Sequence, residues 1–218
     1  MRVPYVLAAV FVVVTQTLSL AQFLPVSVAV LVGSAWAVLV CFAASRIVRR
    51  PRLSARAENV LIFSGIVLMG VFAFGGAVGI LMLNTALDSG SVTGETMMAM
   101  FATSIPIAIA ANVPTELIVV PLLLVLCWRP GARRVSILVA AGLYLALRIW
   151  TYLVFAGDRL DFEATAHSTA VLSPAERRQF AHDWHLDDPR WAVNLAIFAV
   201  LLLAAFQQRA RPAKDALL

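Results

Sequence analysis

Two short constellations in this chain have the residue types and spacing for chemistry away from water: Asn112, Thr115 and Glu116, then Tyr144, Arg148 and Tyr152. Asn112 and Glu116 are four residues apart, so on a helix they share a face, with Thr115 beside them. Tyr144, Arg148 and Tyr152 repeat at the same four-residue step. Both sets fall deep inside long apolar runs. An ionisable group near the middle of a bilayer costs about 2.5–3.5 kcal/mol on insertion scales, so it needs a partner or water. At 1.5 Å per residue, Glu116 lies roughly 17 Å from Cys127 and Arg148 roughly 20 Å from Val135, two positions expected at the same membrane face. The two charges are therefore expected at nearly equal depth on consecutive antiparallel helices, as a Glu116–Arg148 pair.

Such a pair has two uses. In one it is a structural ion pair that sets helix register and rotation, with Asn112 and the tyrosines satisfying the remaining hydrogen bonds. In the other it forms a polar pocket in which Arg148 holds an anionic or phenolic group while Glu116 exchanges a proton. The second use makes Glu116 and Arg148 the candidate catalytic residues and Asn112, Tyr144 and Tyr152 the candidate substrate-binding residues.

The elements that must position these groups are membrane helices. Of 218 residues, 61% are hydrophobic and only 13% charged, and the mean hydropathy is +0.90. A soluble domain carries about 25% charged residues to face water. Apolar segments run at about 4–21, 24–45, 59–84, 98–127, 135–156 and 190–207, several reaching the roughly 20 residues that cross the hydrocarbon core. Lipid offers no partner for open backbone groups, so each segment reads as α-helix. Only Gln22 and Phe23 separate the first two, with Pro25 just beyond, which predicts a tight helical hairpin or one broken helix. The net charge of +5 sits in short loops between apolar runs, where arginine sets topology, and so does not indicate nucleic acid.

Orientation follows from those arginines. Arg46, Arg49, Arg50, Arg52 and Arg56 form the strongest cytoplasmic signal, followed by Arg129, Arg133 and Arg134, then by Arg209, Arg211 and Lys214. The loop with Asp88 and Glu95 holds no basic residue. These loops alternate as the positive-inside rule requires and place both termini of a six-span bundle in the cytoplasm. The loop at about 157–189 falls outside despite Arg159, Arg177, Arg178 and Arg190. Arg2, the apolar stretch after it and Ser19-Leu20-Ala21 also fit a signal peptide cleaved after Ala21, against which stands a retained first span.

Other features have packing readings beside functional ones. Gly75 and Gly79 give a small-xxx-small face that suits bundle packing or a dimer seam. Pro106, Pro114 and Pro121 predict a kinked fourth span, a feature of ordinary bundles and of the broken helices that line transporter sites. Met97, Met98 and Met100 read as apolar filler or as soft ligands for Cu(I). Ser173-Pro174-Ala175-Glu176 has the form of a capping box with proline at the first helical position. His182 and His185 would share a face of that helix, where a metal site with His167 competes with a polar interfacial helix anchored by Trp184 and Trp191. No metal and no cofactor are expected. Cys41 and Cys127 form no CxxC motif, and no phosphate loop, nucleophile elbow or Cys–His pairing is present.

From about residue 57 to 210 the chain resembles the anthrone-oxygenase-like family of small four-helix membrane proteins. The resemblance rests on a Phe72-Ala73-Phe74-Gly75-Gly76 turn region, a polar loop before a long second helix, Leu143-Tyr144-Leu145 in the third, and a Trp184-containing segment before a last helix with Arg190 near its start. Members commonly carry Asn-Val-Pro-x-Asn near the end of their third helix. Here Asn112-Val113-Pro114 occurs one helix earlier, and the corresponding position reads Val154-Phe155-Ala156-Gly157-Asp158-Arg159. The resemblance implies a compact four-helix membrane bundle, with cofactor-free oxidation of an aromatic polyketide as one family activity.

The expectation is an all-α polytopic transmembrane bundle of about six spans in a bacterial inner membrane. Residues 1–56 form a transmembrane hairpin and basic cytoplasmic loop, 57–210 a four-helix bundle with its outer loop, and 211–218 a cytoplasmic tail. Three functions fit: a small membrane enzyme on a lipophilic aromatic or quinone-like substrate, a proton-coupled transporter or exporter, and a non-catalytic assembly subunit. The expected partners are the lipid bilayer and a small lipophilic molecule, with a homo-oligomer through the glycine face as one arrangement. An open site near Glu116 would favour the first two functions and a closed one the third.

Overall fold

The computed structural model of the chain describes residues 2–155, 168–183 and 189–208. Every regular element among them is helical, and the only β-type pairing is an isolated bridge between Thr93 and Val171. The proposed metal partners His167 and His185, the anchor Trp184 and the basic tail lie outside the described residues.

Helices α1 (Val3–Leu20) and α2 (Val26–Val48) are joined by a short turn in which the Phe23 and Leu24 amides return to the Leu20 carbonyl. Of the two arrangements expected here, the hairpin is the one present. Gly33 makes it close: a Cβ there would stand 3.3 Å from the Val13 Cα, so the absent side chain lets one backbone approach the other.

The basic stretch at 46–56 is not the expected loop. Helix α2 continues through Val48 and α3 (Pro51–Asp88) begins with proline in its first turn, leaving only Arg49 and Arg50 between them. Proline suits that place because its missing N–H is one the helix start would leave unused. At 38 residues, α3 is about 57 Å long, against about 30 Å for a hydrocarbon core. The Phe72–Gly76 segment lies within this continuous helix and forms no turn.

Helix α4 (Gly94–Pro114) starts under Thr93, whose hydroxyl accepts from the Thr96 amide at 3.1 Å. It runs into a π-helical turn, Thr115–Val119, and then α5 (Val120–Leu126). Helix α6 (Ala132–Trp150) likewise ends in a π-helical turn, Thr151–Phe155. After these come α7 (Pro174–Asp183) and α8 (Arg190–Phe206). Five stretches are long and apolar enough to cross a membrane: α1, α2, α3, α4 through α5, and α6 with part of its terminal turn. Helix α8 is apolar but has only 17 residues.

Helix α5 is the centre of the bundle. Almost all of its side chains are buried, and α1, α2, α3 and α6 pack around it. Helix α8 lies against α3 and α6, and Gly65 and Gly70 of α3 accept the side chains of Leu201 and Phe198 at contact distance. Helix α4 rests chiefly on α3. The bundle is thus closed at the α5 end and looser where α4 faces α6 and α8.

One end is tied by Arg133. Its guanidinium pairs with Glu58 at 2.8 Å, reaches Asn59 Oδ1 at 3.2 Å, and donates to the Ala204 and Ala205 carbonyls at the end of α8. A cation on the last carbonyls of a helix satisfies groups that have no intrahelical donor and complements the helix dipole. Glu58 is only 1% exposed, so this contact joins the starts of α3 and α6 to the end of α8. At the opposite end, α7 opens with the expected capping box: the Ser173 amide donates to Glu176 Oε2 at 2.7 Å, and the Glu176 amide donates to Ser173 Oγ at 3.3 Å. Arg177 donates to the Leu87 carbonyl at 2.7 Å, and Phe180 and Leu172 pack with Leu87, Val92 and Met97. Met97 is fully buried in that apolar cluster, where it fills space as a thioether readily does.

Candidate functional site

Local sequence forces the backbone of the fourth span out of α geometry where the site begins. Pro114 offers no N–H to the Ala110 carbonyl, and Pro121 none to the Leu117 carbonyl. The helix widens into its π-helical turn between these prolines. Trp36 of α2 supplies the missing donor, its indole N–H reaching the Leu117 carbonyl at 3.0 Å. Thr115 turns its hydroxyl back to the Ala111 carbonyl at 2.6 Å. Insertions of this kind are frequent at functional sites, and this one carries Glu116.

All five candidate residues meet in one network. The Tyr144 hydroxyl lies 3.0 Å from Asn112 Oδ1 and 3.1 Å from Glu116 Oε1. A single O–H cannot donate to both at once, so these two oxygens compete for one proton. Arg148 forms an ion pair with Glu116 through Nε, as the depth count requires, and donates to the Tyr152 hydroxyl through Nη2. Its guanidinium carbon also stands 4.5 Å from the Tyr152 ring centroid, a cation–π arrangement. Tyr144 is 0% exposed and Glu116 3%, and Phe11 of α1 closes over Tyr144 with ring centroids 6.2 Å apart.

Beside this network is a cavity of about 280 Å³ bounded by α3, α4, α6 and α8. Such a volume is near the lower end of small-molecule sites. The five residues divide at its wall. Asn112 and Arg148 line the cavity, whereas Glu116, Tyr144 and Tyr152 are not among its lining residues. The candidate catalytic carboxylate therefore stands one side chain behind the surface a ligand would touch.

The glycine face does not make the close contact within the bundle that a packing face would make. Gly75, Gly76 and Gly79 all line the cavity. A Cβ at Gly79 would meet nothing within 4 Å, and those at Gly75 and Gly76 only Ile107 and Trp191 at 3.9 Å. These glycines make room.

Two features escaped the sequence reading. Asn194 lines the cavity, is 5% exposed, and holds a buried Oδ1 without a hydrogen-bond partner among the described residues. Apart from Arg190 and Trp191 at its start, it is the one polar side chain in α8, which is the signal available in the sequence. The Glu58–Arg133 pair was the other, visible as a lone acid beside five arginines. Among the described residues, no group of three His, Cys, Asp or Glu side chains could hold a metal ion, and His182 lies exposed on α7.

The fold and site together describe an all-helical protein with membrane-length apolar helices and a polar network beside an internal cavity. No protein-family model, curated protein or solved structure matches the chain.

Proposed function

We propose that this protein is a six-span membrane protein with both termini in the cytoplasm of a bacterium, and that it acts as a small membrane enzyme on a lipophilic aromatic or quinone-like molecule. The observation that carries the reading is the cavity of about 280 Å³ with Arg148 and Asn112 in its wall. Its apolar surface suits a flat ring system. The guanidinium and amide suit a carbonyl or phenolic oxygen, and Glu116, behind the wall and paired to Arg148, is the carboxylate of the network able to exchange a proton. The resemblance to anthrone-oxygenase-like proteins belongs with this reading.

The topology has support in Arg133, near the start of α6, which meets Glu58 of α3 and the last carbonyls of α8 at an end rich in arginine. A proton-coupled transporter is the second reading, favoured by the interruption of the fourth span at Glu116, since broken helices often form transport sites. An accessory subunit would need no cavity beside its ion pair, and so fits less well.

The reading is tested with Gly79→Leu, which fills the cavity from a position where a side chain meets no neighbour. In nanodiscs, 2-methyl-1,4-naphthoquinone should bind the wild-type protein beyond its partition into empty discs. The variant should fold and lose that binding by about tenfold or more. Equal binding by both proteins would place the ligand elsewhere and remove the reading.

A further inference from the structure

Five arginines fall between positions 46 and 56, and Glu58 is the first acid after them. Glu58 is buried and paired to Arg133. Arg49, Arg50, Arg52 and Arg56 are all exposed, and among the described residues none of them pairs with a carboxylate. Exposed Arg129 lies at the same end of the bundle, because Arg133, one turn further on, holds Glu58 of α3. At 1.5 Å per residue, Arg52 stands about 9 Å beyond Glu58 along α3. Arg52, Arg56, Val60 and Phe63 share one face of that helix, and Val60 and Phe63 are exposed. On α2 the Arg46 guanidinium stands 4.8 Å over the ring of Phe42, which is also exposed. On both helices, then, cations lead directly into apolar side chains turned away from the bundle. Arg50, the residue before α3, provides no side-chain cap, so the first amides of the helix and the positive end of its dipole add to the same place. The stretch after residue 208 has Arg209, Arg211 and Lys214 against Asp215, and so carries its own surplus of positive charge.

We infer that the α2–α3 junction binds an anionic phospholipid, its phosphodiester among Arg49, Arg50 and Arg52 and its acyl chains along the exposed apolar faces of α2 and α3. The inference rests on the six-span membrane reading and is independent of the cavity. Topology asks only for positive charge on this side of the membrane. The gathering of exposed arginines at one junction, above exposed apolar side chains, goes further. It offers a phosphate several charge-assisted hydrogen bonds, and clustered arginines beside a membrane helix attract anionic headgroups. A zwitterionic lipid of the same acyl chains fits the apolar faces equally well but gains less from the net charge.

The test is native mass spectrometry of the full chain released from detergent micelles that contain equal amounts of dioleoyl phosphatidylglycerol and dioleoyl phosphatidylcholine. Phosphatidylglycerol should be retained in preference by about tenfold or more. Arg49→Gln, Arg50→Gln and Arg52→Gln together should bring the two lipids near parity. The corresponding lysine variant should keep most of the preference, and Arg178→Gln on α7 should leave it unchanged. Equal retention of the two lipids by the wild-type protein, or an undiminished preference in the glutamine variant, would overturn the inference while the membrane and cavity readings stand. Abolition of the preference by millimolar inorganic phosphate at constant ionic strength would mark a free-phosphate site and overturn the lipid assignment. Retention of neither lipid would overturn the membrane reading with it.

Discussion

At the scale of single residues, Glu116 and Arg148 hold each other's charge within the bundle. Their type, spacing and depth in two consecutive apolar runs were enough to pair them, because two opposite charges at one depth in lipid have few other partners. The same reasoning reached Asn112, Tyr144 and Tyr152, since four-residue steps put them on the faces that meet. It did not reveal which of the five a ligand would touch. That division depends on where α4 diverges from α6 and α8, a packing outcome that no residue type announces. Removing one member of a buried pair strands the other, at a cost of about 3–5 kcal/mol. Glu116→Gln and Arg148→Met should therefore each destabilise the protein by an amount of that order, and the double variant should recover most of the loss. A reversible unfolding titration in detergent checks the coupling. Additive losses would mean that each charge is solvated independently by water in the cavity. Tyr144→Phe should leave the ion pair in place and remove only the shared hydroxyl proton, a loss of about 1–3 kcal/mol.

At the scale of elements, three prolines predict a distorted fourth span; α4 runs through Pro106 without a break, and the distortion lies between Pro114 and Pro121. The form it takes is a π-helical turn fixed by Trp36 from another helix. A long-range donor of that kind is invisible to local reading. Trp36→Phe removes the donor while keeping most of the ring, so the Leu117 carbonyl loses its partner. The expected cost is about 1–3 kcal/mol, with faster amide exchange localised to residues 115–122; unchanged exchange there would show that the turn holds itself. The capping box of α7 was legible directly, because Ser173, Pro174 and Glu176 carry its full pattern. Hydrogen bonds from Ser173 hold the Glu176 carboxyl below its ordinary value of 4.5. Because the folded value is the lower one, the contribution is complete above the ordinary value and is lost as pH falls through the folded value. Acidification below about pH 4.5 should fray the start of α7, read as increased amide exchange at residues 174–178, and Glu176→Gln should remove that pH dependence. The 46–56 stretch is helical on both sides of Arg49 and Arg50 because arginine clusters mark membrane faces without forbidding helix, and arginine is itself a good helix former.

At the scale of the whole molecule, composition alone established a helical protein with membrane-length segments, because 13% charged residues cannot cover a globule in water. The arrangement around α5 was not legible, since a lipid-exposed helix and a bundle-centre helix have similar apolar composition. The glycines illustrate the same limit. Gly33 permits a close helix contact and Gly79 opens a cavity, yet both are single glycines in apolar helices. Their substitutions should separate accordingly: Gly33→Leu forces α1 from α2 and lowers thermal stability, whereas Gly79→Leu leaves it nearly unchanged. The central claim is that the space beside Arg148 receives a lipophilic molecule, and the most direct measurement is photolabelling in nanodiscs with a diazirine-bearing naphthalene, followed by peptide mass spectrometry. Labelling is predicted to concentrate on the segments containing Ile107, Gly79 and Trp191, to be displaced by excess unlabelled naphthalene ligand, and to disappear from those segments in Gly79→Leu. Labelling spread evenly over the lipid-facing surfaces of α1, α2 and α3, without displacement, would contradict the account.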